Sequence, residues 1–294
     1  MLTSTRCPAA GFRSRVVQSQ RAQVGDLARK SVGGPPAGLD RGSARRFILR
    51  RTGWTATSGA RLRTPGSNLS TVFCRFPPMK RIHGFDIPQT LEELCDPQRL
   101  ALVVYDMQIG ILKQIREPEV VVAKVLRVLE AARGAGVRIF FMRHLSLPKE
   151  LMGAFAYRMA MAWQRTDDPG KVESWFLRDS PAFQITPELA PRSSEAIFDK
   201  LTMSALEGTP LPIALRDCGI TVMALAGVAM EIGIEPTARH AADLGLIPVI
   251  IADACGAGHA DAGKRSLESL AFAGDAMITD VARFCELMAR SQAK

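Results

Sequence analysis

From residue 100 onward the chain alternates short, apolar, β-branched runs with longer stretches in which apolar residues recur every three to four positions. Runs of the first kind read as strands buried on both faces, and stretches of the second kind as amphipathic helices. The run 100–105 (LALVVY) is the first expected strand and delivers Asp106 at its carboxyl end. A helix is expected over 117–133, with Pro118 in its first turn and Gly134 and Gly136 closing it. Strands follow at 137–142 (VRIFFM), 195–199, 220–227 (ITVMALAG), 247–252 (IPVIIA) and 276–279, with helices at 211–217 and 231–244. Such alternation predicts an α/β chain whose parallel sheet is covered by helices on both faces.

One crossover breaks the rhythm. Residues 143–194 separate the second and third strands, and loops beyond about 15 residues usually carry function. The first part of this insertion is rich in Met and aromatic residues, from Leu151 and Met152 through Phe155, Tyr157 and Trp163 to Trp175 and Phe176. Adaptable Met side chains suit an apolar lining. A helix over 149–164 is therefore expected to form a lid over a pocket or a subunit interface, with ordinary core packing as the competing reading.

Charge changes the picture of the ends. The 294-residue chain has a formal net charge of +9, but residues 1–78 alone carry +12 and residues 79–294 carry −3. The first 78 residues contain Arg, Ser, Gly and Pro in abundance, only Asp26 and Asp40 as acids, and no long apolar run. That composition cannot offset the entropy of ordering and predicts a disordered tail, either a transit-like peptide or the product of a start assigned upstream of Met79. Residues 79–294 are the expected domain. Its mildly acidic balance excludes a uniform nucleic-acid-binding face. No run of 18 apolar residues predicts a membrane span. The six cysteines lack C-x-x-C spacing, which points to free thiols in a reducing compartment: cytoplasmic, or mitochondrial if the first segment is a transit peptide.

In an open parallel sheet, ligands bind at the carboxyl ends of the strands. Asp106, Lys200 and the turn 227–233 converge there. Four runs around these positions, Ala101–Gln108 (ALVVYDMQ), Asp199–Thr209 (DKLTMSALEGT), Leu215–Ile220 (LRDCGI) and Gly227–Arg239 (GVAMEIGIEPTAR), resemble the successive blocks of the isochorismatase-like hydrolase superfamily, in the same order. The resemblance covers about residues 90–280. It implies a three-layer α/β/α sandwich with a six-stranded parallel, Rossmann-like sheet, a homo-oligomer, and a cis peptide before Ala229.

Amidases of that superfamily use an Asp, a Lys and a Cys nucleophile, which map onto Asp106, Lys200 and Gly233. Glycine has no side chain with which to form a thioester. Isochorismatases, which cleave a vinyl ether without a cysteine, resemble the chain more closely at this turn. The resemblance therefore implies hydrolysis of a small, anionic molecule by Asp106 as general acid, tuned by Lys200, with substrate contacts from Gln108, Arg143, His144, Val228, Ala229, Met230 and Glu231. Backbone N–H groups at the turn are expected to hold a substrate oxygen. Glu231 reads as a cap-type carboxylate, or as a second acid/base group. Neither a metal nor another cofactor is expected, because only Arg143-His144 stands where metal-dependent relatives place their ligands. Two alternatives stand beside this reading: a catalytically inactive small-molecule-binding or oligomeric module, and an amidohydrolase with Cys255 as a relocated nucleophile. The run 258–265 (GHADAGKR) nearly spells a phosphate-binding loop, but Arg265 replaces the required Ser/Thr and Asp261 would repel phosphate.

Overall fold

A computed structural model describes residues 79–292. The expected tail lies outside the described residues. Six parallel strands form the central sheet: β3 (Leu100–Tyr105), β4 (Arg138–His144), β5 (Ala196–Lys200), β6 (Val222–Val228), β7 (Ile247–Gly256) and β8 (Met277–Thr279). Their order across the sheet is β5-β4-β3-β6-β7-β8. The chain runs outward from β3 in one direction and then returns to run outward in the other, so the direction reverses between β3 and β6. At such a switch point the loops leaving two neighbouring strands diverge and open a crevice.

β3 shows how the sheet is held. All six of its residues are buried. Leu100, Leu102 and Val104 pack with Val125, Leu129, Phe284 and Met288, on the side covered by α3 (Pro118–Gly134) and α8 (Val281–Gln292). Ala101, Val103 and Tyr105 pack on the opposite side against α5 (Leu211–Asp217), α6 (Glu235–Asp243) and α7 (Ala260–Ala273). The two-residue period of the strand makes this division and explains why its sequence is apolar throughout. Truncating Leu129 or Phe284 to alanine in such a core costs about 2–5 kcal/mol.

Several element boundaries depart from the sequence pattern. A short exposed hairpin, β1 (Lys80–Ile82) and β2 (Phe85–Ile87), precedes α1 (Leu91–Leu94), and none of these stands out in the periodicity. A further short helix, α2 (Ile109–Leu112), follows β3 directly. The helix expected over 149–164 is split into a single 3-10 turn, Lys149–Leu151, and α4 (Ala154–Gln164), with Gly153 extended between them at the N-cap. The helix expected over 231–244 begins instead as a π-helical turn, Met230–Ile234, and becomes α-helical only at Glu235. Pro236 lacks the N–H that would bond the Ile232 carbonyl, which removes one rung of a regular α-helix at that junction. The rest of the insertion is three 3-10 turns, each begun by a proline: Pro169–Lys171, Pro181–Phe183 and Pro187–Leu189. The last two lie against the outlet of β3 through the pairs Ile109 N–H to Gln184 O (2.9 Å) and Thr186 N–H to Met107 O (2.9 Å).

Candidate active site

Asp106 follows the last residue of β3 in the left-handed region, φ +46°. Its short polar side chain tolerates that conformation better than most. The turn directs the carboxylate toward Lys200, the last residue of β5, and the Nζ–Oδ2 distance is 2.7 Å. Both residues are buried, at 5% and 3% exposure. Burial raises the Asp106 carboxyl against the opposing pull of the Lys200 charge, and burial lowers the Lys200 ammonium against the pull of Asp106. Both shifts favour the neutral forms, so a proton on Asp106 is cheaper here than in water. Lys200 Nζ also stands 4.4 Å from the centre of the Tyr105 ring, a cation–π contact.

The neighbouring β6 is brought close by glycine. Gly227 pairs with Tyr105 in the ladder at φ +129°, and a Cβ there would lie closer than 3.0 Å to the Tyr105 backbone. The Val228–Ala229 peptide is cis, as the resemblance implies. The π turn then carries Gly233 over the Tyr105 ring. A Cβ on Gly233 would fall closer than 3.0 Å to Oη, Cε1 and Cζ of that ring. Tyr105 Oη donates to the Met203 carbonyl, and burial together with the Asp106 charge pushes the phenol well above its usual range, so it stays protonated. The Gly233 N–H donates to Ala229 O (3.0 Å), so it is already engaged rather than free to hold a substrate oxygen.

Tyr105, Asp106, Lys200, Met203 and Gly233 line a cavity of ≈ 430 Å³. His144, Val228, Ala229 and Glu231 line it too, as do Trp163, Trp175 and Phe176 from the insertion. α4 thus contributes to the wall, although none of its own residues is buried in the single chain. A smaller cavity of ≈ 140 Å³ adjoins it, bounded by Met152, Phe155 and Met159. The His144 ring lies edge-on to Trp163 and Phe176, with centroids 6.3 and 5.9 Å away. Burial, aided by the Lys200 charge, pushes it down to about 3, which keeps the imidazole neutral.

Other expected residues stand elsewhere. Gln108 is fully buried, its amide spent on the backbone: Oε1 accepts from His144 N–H (2.6 Å), and Nε2 donates to His144 O (3.0 Å) and Phe183 O (2.9 Å). It clamps the end of β4 and the Pro181–Phe183 turn instead of lining the cavity. Arg143 pairs with Asp199 (2.8 Å) and lies over the Phe183 ring (4.3 Å), outside the cavity wall. Met230 points into the core shared with Ile234 and Ala238. Cys255 is not among the lining residues, its Sγ faces Leu225 O (3.7 Å), and burial pushes its thiol up to about 12, far from a nucleophilic thiolate. Glu231 accepts from the His259 N–H (2.7 Å) at the start of α7, so a carboxylate already occupies the place where a phosphate would sit in a phosphate-binding loop. Among the described residues no three His, Cys, Asp or Glu side chains gather as a metal site requires, and no helix is long and apolar enough to cross a membrane.

The Isochorismatase domain family model matches residues 100–283. The chain belongs to the isochorismatase family. It is 32% identical over 177 residues to the uncharacterized isochorismatase family protein YecD of Escherichia coli O157:H7, covering 58% of this chain and 86% of that protein. It is 26% identical over 212 residues to the ureidoacrylate amidohydrolase RutB of Serratia proteamaculans, covering 66% and 84%. Among solved structures, a cysteine hydrolase from Pseudomonas syringae pv. phaseolicola shares the fold at a TM-score of 0.58 and 22% identity, covering 73% of this chain and 99% of that one. N-carbamoylsarcosine amidase from Thermoplasma acidophilum does so at 0.52 and 18%, covering 62% and 96%. The six-stranded parallel α/β fold expected from the resemblance is the one observed, and these solved structures share it.

Two residues of the site are not singled out by the sequence pattern. Tyr105 reads simply as the end of an apolar strand, although its position, odd-numbered like Ala101 and Val103, puts it on the α6 side beneath the turn after β6. His259, expected at the surface or just behind the residues that touch substrate, is exposed and also lines the cavity, and its backbone N–H holds Glu231. Beside the Asp106–Lys200 pair and the neutral His144, Glu231 and Arg165 also line the cavity.

Proposed function

We propose that this member of the isochorismatase family hydrolyses a small molecule by acid–base chemistry of Asp106 and Lys200, without a cysteine nucleophile. The observation that carries the reading is the occupied space at position 233: the Tyr105 ring fills the volume a side chain there would need, while the Asp106–Lys200 pair is buried in the cavity wall a few residues away. Hydrolysis consumes one water, whose hydroxyl ends on the electrophilic carbon and whose proton ends on the leaving atom. Asp106, held above the usual carboxylate range, delivers a proton to the unsaturated substrate and so creates a cationic carbon centre, and Lys200 steadies the carboxylate that results. Water then adds to the cationic carbon centre and returns a proton to Asp106. The bond cleaved is an ether or a C–N bond, the latter being the bond named for the amidohydrolase and amidase relatives.

The occupied position also supports a second reading, a family member that keeps the cavity for binding alone. Assays of isochorismate and a panel of small amides on wild type and Asp106→Ala separate the two. The hydrolase reading expects at least one compound to be turned over by wild type and not by the variant. Equal inertness, with ligands still raising Tm, leaves the binding module.

A further inference from the structure

The face that α4 turns inward meets a space instead of a packed layer. Phe155, Ala156, Met159, Ala160 and Trp163 line the smaller cavity at spacings of three and four residues, and Met152 joins them from just before the helix. Residues so spaced share one face of a helix. In an ordinary core helix that face is buried, as Val125, Val128, Leu129 and Ala132 of α3 are. No residue of α4 is buried, and Met152, Ala156, Met159 and Ala160 are half-buried, each keeping surface that a ligand can cover. Ala156 and Ala160, one turn apart, are the small members of the face, and a larger side chain at either would take up part of the room. That room is ≈ 140 Å³. A cavity of about 150 Å³ lined by aliphatic and aromatic side chains takes up benzene, so the space suits one phenyl ring or a branched alkyl group.

The polar side chains on the same wall are already engaged. Ser146 Oγ accepts from the Phe176 N–H (3.3 Å), and Ser174 Oγ donates to Leu147 O (2.7 Å). The Gln164 amide is spent on the Glu173 backbone, donating to its carbonyl (2.7 Å) and accepting from its N–H (2.9 Å). Lys149 Nζ meets the Glu173 carboxylate (3.1 Å), and His144 is neutral. A charged group would have to leave water there, and among the described residues the wall offers it no unpaired opposite charge. An apolar group gains by leaving water. His144, Trp163, Trp175, Phe176 and Met203 line both this cavity and the larger one that holds Asp106 and Lys200, so at most one layer of side chains lies between the two.

We propose that the smaller cavity is a subsite for an apolar substituent, up to a phenyl ring in size, of the ligand that occupies the larger cavity, with Ala156 and Ala160 as specificity-determining positions. This assignment rests on the larger cavity being the substrate site, and it narrows the substrate class to small molecules that carry such a substituent beside the reacting group.

The test uses two amides with one head group, propanamide and 3-phenylpropanamide, titrated at pH 7 into the purified full chain carrying carbon-13 in its methionine methyl groups. The phenyl compound is expected to bind at least about tenfold more tightly, a modest return for burying a ring. It is also expected to move the methyl signals of Met152 and Met159, which propanamide leaves in place. Ala160→Leu, its fold checked by thermal melting, is expected to lose the preference. The wild-type pair decides independently of whether the variant folds. Equal binding of the two amides, no measurable binding of the phenyl compound at millimolar concentration, binding that leaves Met152 and Met159 unmoved, or a folded Ala160→Leu variant that keeps the preference each overturns the proposal. So does a dimer, seen by sedimentation, in which Met152 and Met159 ignore the probe, because the face of α4 then belongs to a second copy. The titrations read binding at named methyl groups, so their failure is separate from failure of the hydrolase reading, which is decided by turnover in Asp106→Ala.

Discussion

The Tyr105 ring and Gly233 are complementary: the phenol of one fills the space that any side chain on the other would need. Tyr105 is 1% exposed and hydrogen-bonded to the Met203 carbonyl, so it has little room to move aside. Gly233→Cys is therefore expected to destabilise the protein by about 1–3 kcal/mol, the usual cost of overpacking. Tyr105→Phe in the same background should recover little, because the ring carbons clash as well as the oxygen. Tyr105→Val with Gly233→Cys should recover more, at the expense of the ring's own packing. Urea unfolding of the four proteins checks the order. A Gly233→Cys single variant as stable as wild type would show that the ring yields.

The Asp106–Lys200 pair carries a pH signature. Asp106 is raised above 3.8 and Lys200 lowered below 10.5, so each imposes a cost on the folded state at neutral pH. For Asp106, a folded pKa above the unfolded one contributes stability that is full below the unfolded value and lost as pH rises through the folded value. For Lys200, a lowered folded pKa contributes stability that is present above the unfolded value and lost as pH falls through the folded value. Relative to Asp106→Asn/Lys200→Met, wild type should gain stability as pH falls toward 3.8 and as it rises toward 10.5, and be least favoured between. Either single variant leaves one buried polar group uncompensated, and losing one partner of a buried pair costs about 3–5 kcal/mol. The double variant should be less damaged than the sum of the singles. Denaturation midpoints across that pH range supply the comparison.

His144 gives the opposite slope at mildly acid pH. Its pKa falls from 6.5 to about 3 on folding, so its contribution is present above 6.5 and is lost as pH falls toward 3. His144→Phe should flatten the acid limb of the stability profile. In wild type the imidazole should show no titration by NMR between pH 5 and 8, so an activity limb near 6.5 would belong to another group.

Arg143 is expected to act on structure rather than on substrate. Arg143 and Arg178 both hold Asp199, and Arg143 caps the Phe183 ring. Arg143→Gln should leave KM for any substrate within about twofold while loosening residues 178–199, as read by hydrogen exchange. A large rise in KM with unchanged exchange would place Arg143 at the substrate.

The sheet is legible in the sequence because a parallel strand buried on both faces has no other way to look: LALVVY and VMALAGV are apolar at every position. The convergence of Asp106 and Lys200 is legible for the same reason, since both end strands and strand ends gather at one edge. The insertion is less so. Its helix is interrupted at Gly153, and its later turns are set by Pro169, Pro181 and Pro187, whose local geometry leaves no periodic trace. Gln108 and Arg143 lie beside the site in sequence, but one turns to the backbone of His144 and the other to Asp199, and pairings made across a long insertion cannot be read from spacing. Tyr105 is visible as a residue, yet its meaning depends on Gly233, 128 positions away in the chain.

The central claim is that turnover depends on Asp106 and on no thiol. The measurement that tests it most directly is the rate of substrate hydrolysis by Asp106→Asn relative to wild type, with both proteins first alkylated exhaustively by iodoacetamide. The account predicts that alkylated wild type keeps its activity and that the variant falls by about 10²–10⁴-fold, the range for losing a general acid. Activity abolished by alkylation, or an Asp106→Asn variant as fast as wild type, would contradict it.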